Sequence, residues 1–161
     1  MPYEHLFFDL DHTLWDFEVN SKETLHNLYV EQNLLARGVD DFDAFFNQYS
    51  HHNHRLWDRY TKGFIKQDEL RWKRMWLTLL DYKIADEVLS KAMSVRFLEI
   101  LPTKKNLFED TITVLDYLKD KNYPLFLITN GFQQTQIQKL KYSGINHYFD
   151  YMITSEDRKS V

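Results

Sequence analysis

This 161-residue sequence predicts an α/β fold, a parallel sheet whose first strand is followed by an inserted block of helices. Three observations carry that expectation. Continuous apolar runs at residues 6–8, 125–128 and 151–154 read as buried strands, being too short for helices and rich in aromatic or β-branched side chains. Helical patterns separate these runs, and alternation of strand and helix builds a parallel sheet with crossovers. Four Gly and three Pro fall well below the usual ~7% and ~5%, which favours long helices over the many turns of a sandwich or small barrel.

In chain order, the first strand runs directly into Asp9. From residue 18 to residue 101 the period is helical. Leu25, Leu28, Tyr29, Gln32 and Leu35 share a face, with Asn20 and Ser21 as candidate caps and Gly38 as the stop. Phe42, Phe45, Phe46, Tyr49, Asn53, Leu56, Trp57 and Tyr60 form a second amphipathic stripe, closed by Gly63. Trp72, Met75, Trp76, Leu79 and Leu80 make a third, and Val88, Ala92 and Val95 begin a fourth. Four such helices bury their stripes against one another as a small bundle. Beyond Pro102 the pattern predicts a helix over 109–121 with Ile112, Leu115 and Leu118 inward, then a turn, the second strand, a helix over 133–142 with Gly144 as its C-cap, and the third strand.

Composition excludes several classes of function. Twelve Phe, ten Tyr and four Trp carry too much apolar surface for a disordered chain. A net charge of −4 with no basic stripe argues against a nucleic-acid polymer as partner. No run reaches the ~18 apolar residues of a membrane span, and the N-terminus lacks the pattern of a secretion signal. With no Cys there are no disulfides, thiolate nucleophiles or Cys-based zinc sites, and a cytoplasmic location is expected.

Ligands of open parallel sheets bind beyond the carboxyl ends of the strands. Two strands end there in polar clusters, Asp9 with Asp11 and Thr129-Asn130-Gly131, which meet if the strands are neighbours. Taken singly, the first cluster also reads as a capped loop and the second as a plain turn. Taken together they suit phosphoryl transfer. A carboxylate such as Asp9 is a competent nucleophile toward phosphorus, and Asp11 is placed to act as general acid and base. Two carboxylates facing a phosphate require a cation, for which Mg²⁺ is the usual choice. Thr129 offers a hydroxyl, Asn130 and Gly131 offer backbone N–H groups at a helix start, and Gly131 permits close approach.

The segment Phe7-Phe8-Asp9-Leu10-Asp11-His12-Thr13-Leu14 resembles the first motif of the haloacid dehalogenase (HAD) superfamily, and Leu127-Ile128-Thr129-Asn130-Gly131 its second. Trp15-Asp16-Phe17 and the Asn53-x-x-Leu56-Trp57 pattern are most similar to its pyrimidine nucleoside 5′-monophosphate phosphatase branch. The resemblance implies a HAD-like Rossmannoid core over 1–16 and 102–161 with a four-helix cap over 17–101. It implies Asp9 as nucleophile and magnesium ligand, Asp11 as acid/base and magnesium ligand through its carbonyl, and Thr129, Asn130 and Gly131 as phosphate-binding. A second Asp at position 11 separates phosphatases from halide-displacing members. The family carries a phosphate-binding Lys and an acidic pair after the third strand, whereas this sequence ends at Val161, with Lys159 as the nearest substitute at a different spacing. The sheet is then expected to be incomplete at its C-terminal end and this chain's activity impaired. The first strand becomes an exposed apolar edge, to be covered by another chain or surface, self-association included. Rival readings are a phosphosugar mutase of the same superfamily and a non-catalytic interaction module.

Several further residues invite a role. His51, His52 and His54 do not converge on one ion from a helix, so solvation or stacking is expected. Asn53, polar on an apolar stripe, reads either as a satisfied buried amide or as a contact to a nucleobase edge. Trp15 and Phe17, just past the first cluster, are candidates for stacking on a base, while Trp57 reads equally well as core. Cap closure about 16–19 and 101–105 would exclude water from the site.

Overall fold

The structure, a computed structural model, describes residues 3–156; Lys159 lies outside the described residues. The chain forms two compact units, Met1–Ser21 with Ile100–Val161, and Lys22–Glu99.

The first unit holds a parallel sheet of β1 (Leu6–Phe8), β2 (Leu125–Thr129) and β3 (Tyr151–Thr154), in the order β1-β2-β3. Phe8 lies opposite Leu127 and Thr129 opposite Thr154, so all three strands finish at one edge of the sheet. Leu125, Leu127 and Thr129 point into the core, while Ile128 on the other face is 43% exposed. That alternation is the strand period of two, and it replaces the fully buried run that the sequence suggests. Among the described residues β1 pairs with β2 alone, and Phe7, 53% exposed, stacks on Phe126 with ring centroids 5.1 Å apart.

The helix before β2 runs over Thr111–Asp120 and the one after it over Gln133–Tyr142. In the former, Leu115 is buried as expected, but Ile112 faces solvent. Its neighbour Thr111 takes the inward position, donating its hydroxyl to the Leu14 carbonyl at 3.2 Å.

Asp150 fixes the start of β2 from the far side. Its carboxylate accepts the Leu125 N–H at 2.9 Å and its own N–H returns to the Leu125 carbonyl at 2.8 Å. The Leu125 N–H, with help from Lys119, holds the Asp150 carboxyl below the usual carboxylate range. A depressed carboxyl stabilises the fold above its unfolded-state value and loses that contribution as pH falls through the folded value. Asp150→Asn is therefore expected to melt below the parent at pH 7 and to converge with it in acid, in thermal melts taken across pH.

Helices α1 (Phe17–Glu31), α2 (Phe42–Thr61), α3 (Gln67–Asp81) and α4 (Glu87–Ile100) account for the insertion, and those before and after β2 become α5 and α6. The N-cap of α1 is Asp16, whose carboxylate accepts the Val19 N–H at 3.1 Å; Asn20 and Ser21 lie inside the helix. Asn20 instead exchanges hydrogen bonds with Asn106, its amide nitrogen donating to the Asn106 carbonyl at 2.9 Å. Leu35 is exposed in a short 3₁₀ turn beyond α1, and Gly38, with φ of 101°, closes that turn. The stripe on α2 is buried at Phe45, Phe46, Tyr49, Asn53 and Leu56.

On α4 the helix forms but its inward face differs from the expected one. Val88 and Val95 are 80% and 61% exposed, while Leu89, Met93, Phe97 and Ile100 are buried. Both sets have helical spacing, and the larger side chains take the core because burial stabilises in proportion to apolar area. Arg96 on α4 forks onto both oxygens of Glu31 on α1, at 3.1 and 3.2 Å.

Candidate active site

After β1 the chain folds into a tight loop around one carbonyl. The Leu10 oxygen accepts the N–H groups of Thr13, Leu14 and Trp15 at 3.0–3.3 Å, and His12 adopts φ of 63° to close the turn. Positive φ in a non-Gly residue is uncommon, though His is among the types that tolerate it best. The loop then bridges to residues 106–108 through Asp16 N–H to the Asn106 carbonyl and Phe108 N–H to the Leu14 carbonyl, both 3.0 Å.

This loop presents Asp9 and Asp11. Asp9 is exposed, and its carboxylate accepts the Leu10 N–H at 2.9 Å. Desolvation, with the nearby negative charge of Asp11, pushes the Asp9 carboxyl above the usual range against the opposing pull of that N–H. Asp11 is held more firmly. One of its oxygens receives the Lys139 ammonium at 2.7 Å and the other the Gln136 amide at 2.8 Å.

Gln136 also reaches the second strand. Its Nε2 donates to the Thr129 hydroxyl oxygen at 2.8 Å, so one amide group, 125 positions from Asp11, joins the cluster after β1 to the cluster after β2. Asp11, Thr129 and Gly131 are thus brought together, with Asp9 within electrostatic reach of Asp11.

Three expected details take a different form. The Gly131 N–H donates to the Thr129 hydroxyl oxygen at 3.1 Å, so it serves the loop and is not an open anion donor. A Cβ at Gly131 would lie 2.4 Å from Gln136 Cδ and Nε2, so the space a glycine leaves here is filled by Gln136. The first N–H of α6, on Gln133, is capped by the Glu156 carboxylate at 2.9 Å, which complements the positive end of the helix dipole.

The stacking candidates also resolve. Trp15 is fully buried, its indole N–H directed to the Lys104 carbonyl at 3.3 Å and its ring 4.4 Å beneath the Lys139 ammonium, so it offers no face to a base. Phe17 is half-buried between His12 and Trp15, with Lys139 at 5.4 Å from its ring. In the second unit Asn53 is a buried amide whose oxygen accepts Arg74 Nη1 at 3.1 Å. His52 is buried against Asp81, its Nε2 2.7 Å from the carboxylate, and its ring meets that of His51 edge-on at 5.6 Å; the expected ring contact forms, without solvation of His52, while His51 and His54 are exposed.

Sequence reasoning missed Gln136 and Lys139. On α6 they and Leu140 face inward while Ile137 is 40% exposed, the reverse of ordinary amphipathicity. The acceptors on Asp11 and Thr129 partner the Lys139 ammonium and the Gln136 amide nitrogen, while the Gln136 amide oxygen is buried without a partner among the described residues.

A family model described as a haloacid dehalogenase-like hydrolase matches residues 3–160. The chain belongs to this family. The HAD-hydrolase YfnB of Bacillus subtilis (strain 168) is 30% identical over 156 residues, which cover 96% of this chain and 63% of YfnB. Pyrimidine 5′-nucleotidase PynA of Streptococcus pneumoniae (strain ATCC BAA-255 / R6) is 30% identical over 156 residues, 97% of this chain and 63% of PynA. Pyrimidine 5′-nucleotidase YjjG of Escherichia coli (strain K12) is 26% identical over 159 residues, 98% and 64% of the two chains. The chain therefore spans slightly under two thirds of these HAD relatives. A magnesium-bound crystal structure of YfnB superposes with a TM-score of 0.84 at 26% identity, covering 96% of this chain and 66% of that one. The L-2-haloacid dehalogenase of Xanthobacter autotrophicus, with a TM-score of 0.68, 14% identity and coverage of 96% and 58%, shares the HAD fold. No helix among the described residues is long and apolar enough to cross a membrane.

Proposed function

We propose that the protein hydrolyses small phosphomonoesters, nucleoside 5′-monophosphates foremost, by passing the phosphoryl group to Asp9 and then to water. The observation that carries this reading is the Gln136 amide bonded to both Asp11 and Thr129, which joins a carboxyl group and a hydroxyl from the ends of two neighbouring strands, with Asp9 within electrostatic reach of Asp11. The pyrimidine 5′-nucleotidases among the relatives support the substrate class.

In this reading an Asp9 oxygen attacks phosphorus, the ester oxygen leaves, and Asp11 supplies its proton. Asp11 then takes a proton from the water that opens the aspartyl-phosphate, which returns Asp9 to its starting state. Thr129 donates its hydroxyl to a phosphate oxygen.

The donor set fits Mg²⁺. Both Asp11 carboxylate oxygens are engaged, but its carbonyl accepts no main-chain hydrogen bond among the described residues, and the Asp9 carboxylate is exposed. The Asp9 side chain and the Asp11 carbonyl would hold the ion. Mg²⁺ usually keeps several waters and takes substrate oxygens, so a few protein oxygens suffice to anchor it. When bound, Mg²⁺ supplies the positive charge that lets a phosphate approach two carboxylates.

Product analysis tests the reading. With Mg²⁺ and a panel of pyrimidine and purine 5′-mononucleotides and sugar phosphates, free inorganic phosphate is expected, lost on chelation and restored by Mg²⁺. An isomerised sugar phosphate, or no turnover of any ester, contradicts it.

A further inference from the structure

We propose that Gln136 and Lys139 are positioning residues of the site: together they fix both oxygens of Asp11, and Gln136 sets the direction in which Thr129 donates its hydroxyl proton. The inference rests on the roles proposed for Asp11 and Thr129.

Gln136 is fully buried and Lys139 is 2% exposed. An amide nitrogen has two protons, and here one goes to Asp11 and the other to Thr129. The Thr129 oxygen already accepts the Gly131 N–H at 3.1 Å, so both of its lone pairs are taken. Its own proton can then only be donated, and among the described residues it makes no hydrogen bond. A hydroxyl locked as a donor is what a phosphate oxygen requires, and it costs no reorientation when charge builds up.

Asp11 is constrained in the same way. With Lys139 on one oxygen and Gln136 on the other, its carboxyl plane is fixed relative to Thr129. Lys139 is itself held in place by the Trp15 ring at 4.4 Å and the Phe17 ring at 5.4 Å. The empty Cβ position of Gly131 is the remaining part, because it gives Gln136 the room to lie between its two acceptors.

Gln136→Met keeps the length of the side chain and Lys139→Met shortens it by one atom, and each removes the polar contacts. With Mg²⁺ and a pyrimidine 5′-mononucleotide, each is expected to lower kcat by roughly 100-fold, the cost of misplacing a catalytic group by about 1 Å. Gln136→Met should also raise KM through loss of the directed Thr129 donor, whereas Lys139→Met should leave KM near the parent value. Lys139→Arg should recover part of the loss. If kcat and KM per folded molecule, counted by active-site titration, are unchanged in both Met variants, the residues are merely structural and the inference is overturned.

A second readout needs no turnover. Gly131→Ala is expected to lower the melting temperature in the parent and to lower it far less in a Gln136→Ala background, where the obstructing side chain is gone. Equal drops in both backgrounds would overturn the placement of Gln136. Phosphate release that persists in Asp9→Asn would instead overturn the proposed function.

Discussion

Asp9→Asn is expected to lose phosphomonoesterase turnover by roughly 10⁴-fold or more, because removing the nucleophile proposed here leaves only binding and charge stabilisation. The substitution keeps the shape of the side chain and an oxygen to accept the Leu10 N–H, so the loop should persist. Its effect on stability runs the other way. Desolvation and Asp11 raise the Asp9 carboxyl, so the folded state holds that proton more tightly than the unfolded chain does. Above the unfolded-state value the ionised Asp9 therefore weakens the fold, and Asn removes that penalty. The variant should melt at or above the parent at pH 7 and coincide with it in acid, where both states of the parent carry the proton. Phosphate-release assays and thermal melts on the same preparations check both halves. Retained turnover would remove Asp9 from the chemistry.

Trp15→Ala is expected to destabilise the fold by about 3–5 kcal/mol, the range for truncating a large buried aromatic side chain. Trp15 has no exposed surface, its indole N–H is bonded to the Lys104 carbonyl, and its ring covers the Lys139 ammonium. Its backbone also bridges Asp11 on one side and Leu107 on the other. Alanine leaves a cavity beside Lys139, which holds one oxygen of Asp11, so activity should fall together with stability. Trp15→Phe should restore much of the stability, since a ring remains under Lys139. Urea unfolding followed by circular dichroism measures the difference. A variant of unchanged stability with only a raised KM would make Trp15 a substrate platform after all.

The contrast between Asp9 and Trp15 shows where the sequence was legible. Asp9, Asp11 and Thr129 follow short apolar runs, and a parallel sheet puts such strand ends on one edge, so their convergence could be read before any coordinates. Trp15 could not be placed in the same way, because an aromatic residue beside a candidate site loop has the same local pattern whether it stacks on a ligand or fills the core. On α4 two faces satisfied the helical period, and only the packed structure selects Leu89, Met93 and Phe97 over Val88 and Val95. The cap of α1 was misplaced because Asp16, Asn20 and Ser21 are all good capping residues, and the Asn20–Asn106 pairing that draws Asn20 into the core spans 86 positions. Gln136 and Lys139 were the least visible. The segment Gln133–Tyr142 is polar almost throughout, so nothing local marks which Gln or Lys is buried. What places them inward is a carboxylate and a hydroxyl supplied by two other segments of the chain.

The most direct measurement of the central claim is rapid-quench mass spectrometry during turnover of a nucleoside 5′-monophosphate with Mg²⁺. The expected result is a phosphoryl group on the peptide that contains Asp9, formed and consumed at rates compatible with product release and missing from Asp9→Asn. Phosphate release with no phosphorylated peptide at any time, or with the label on a different residue, would contradict the account.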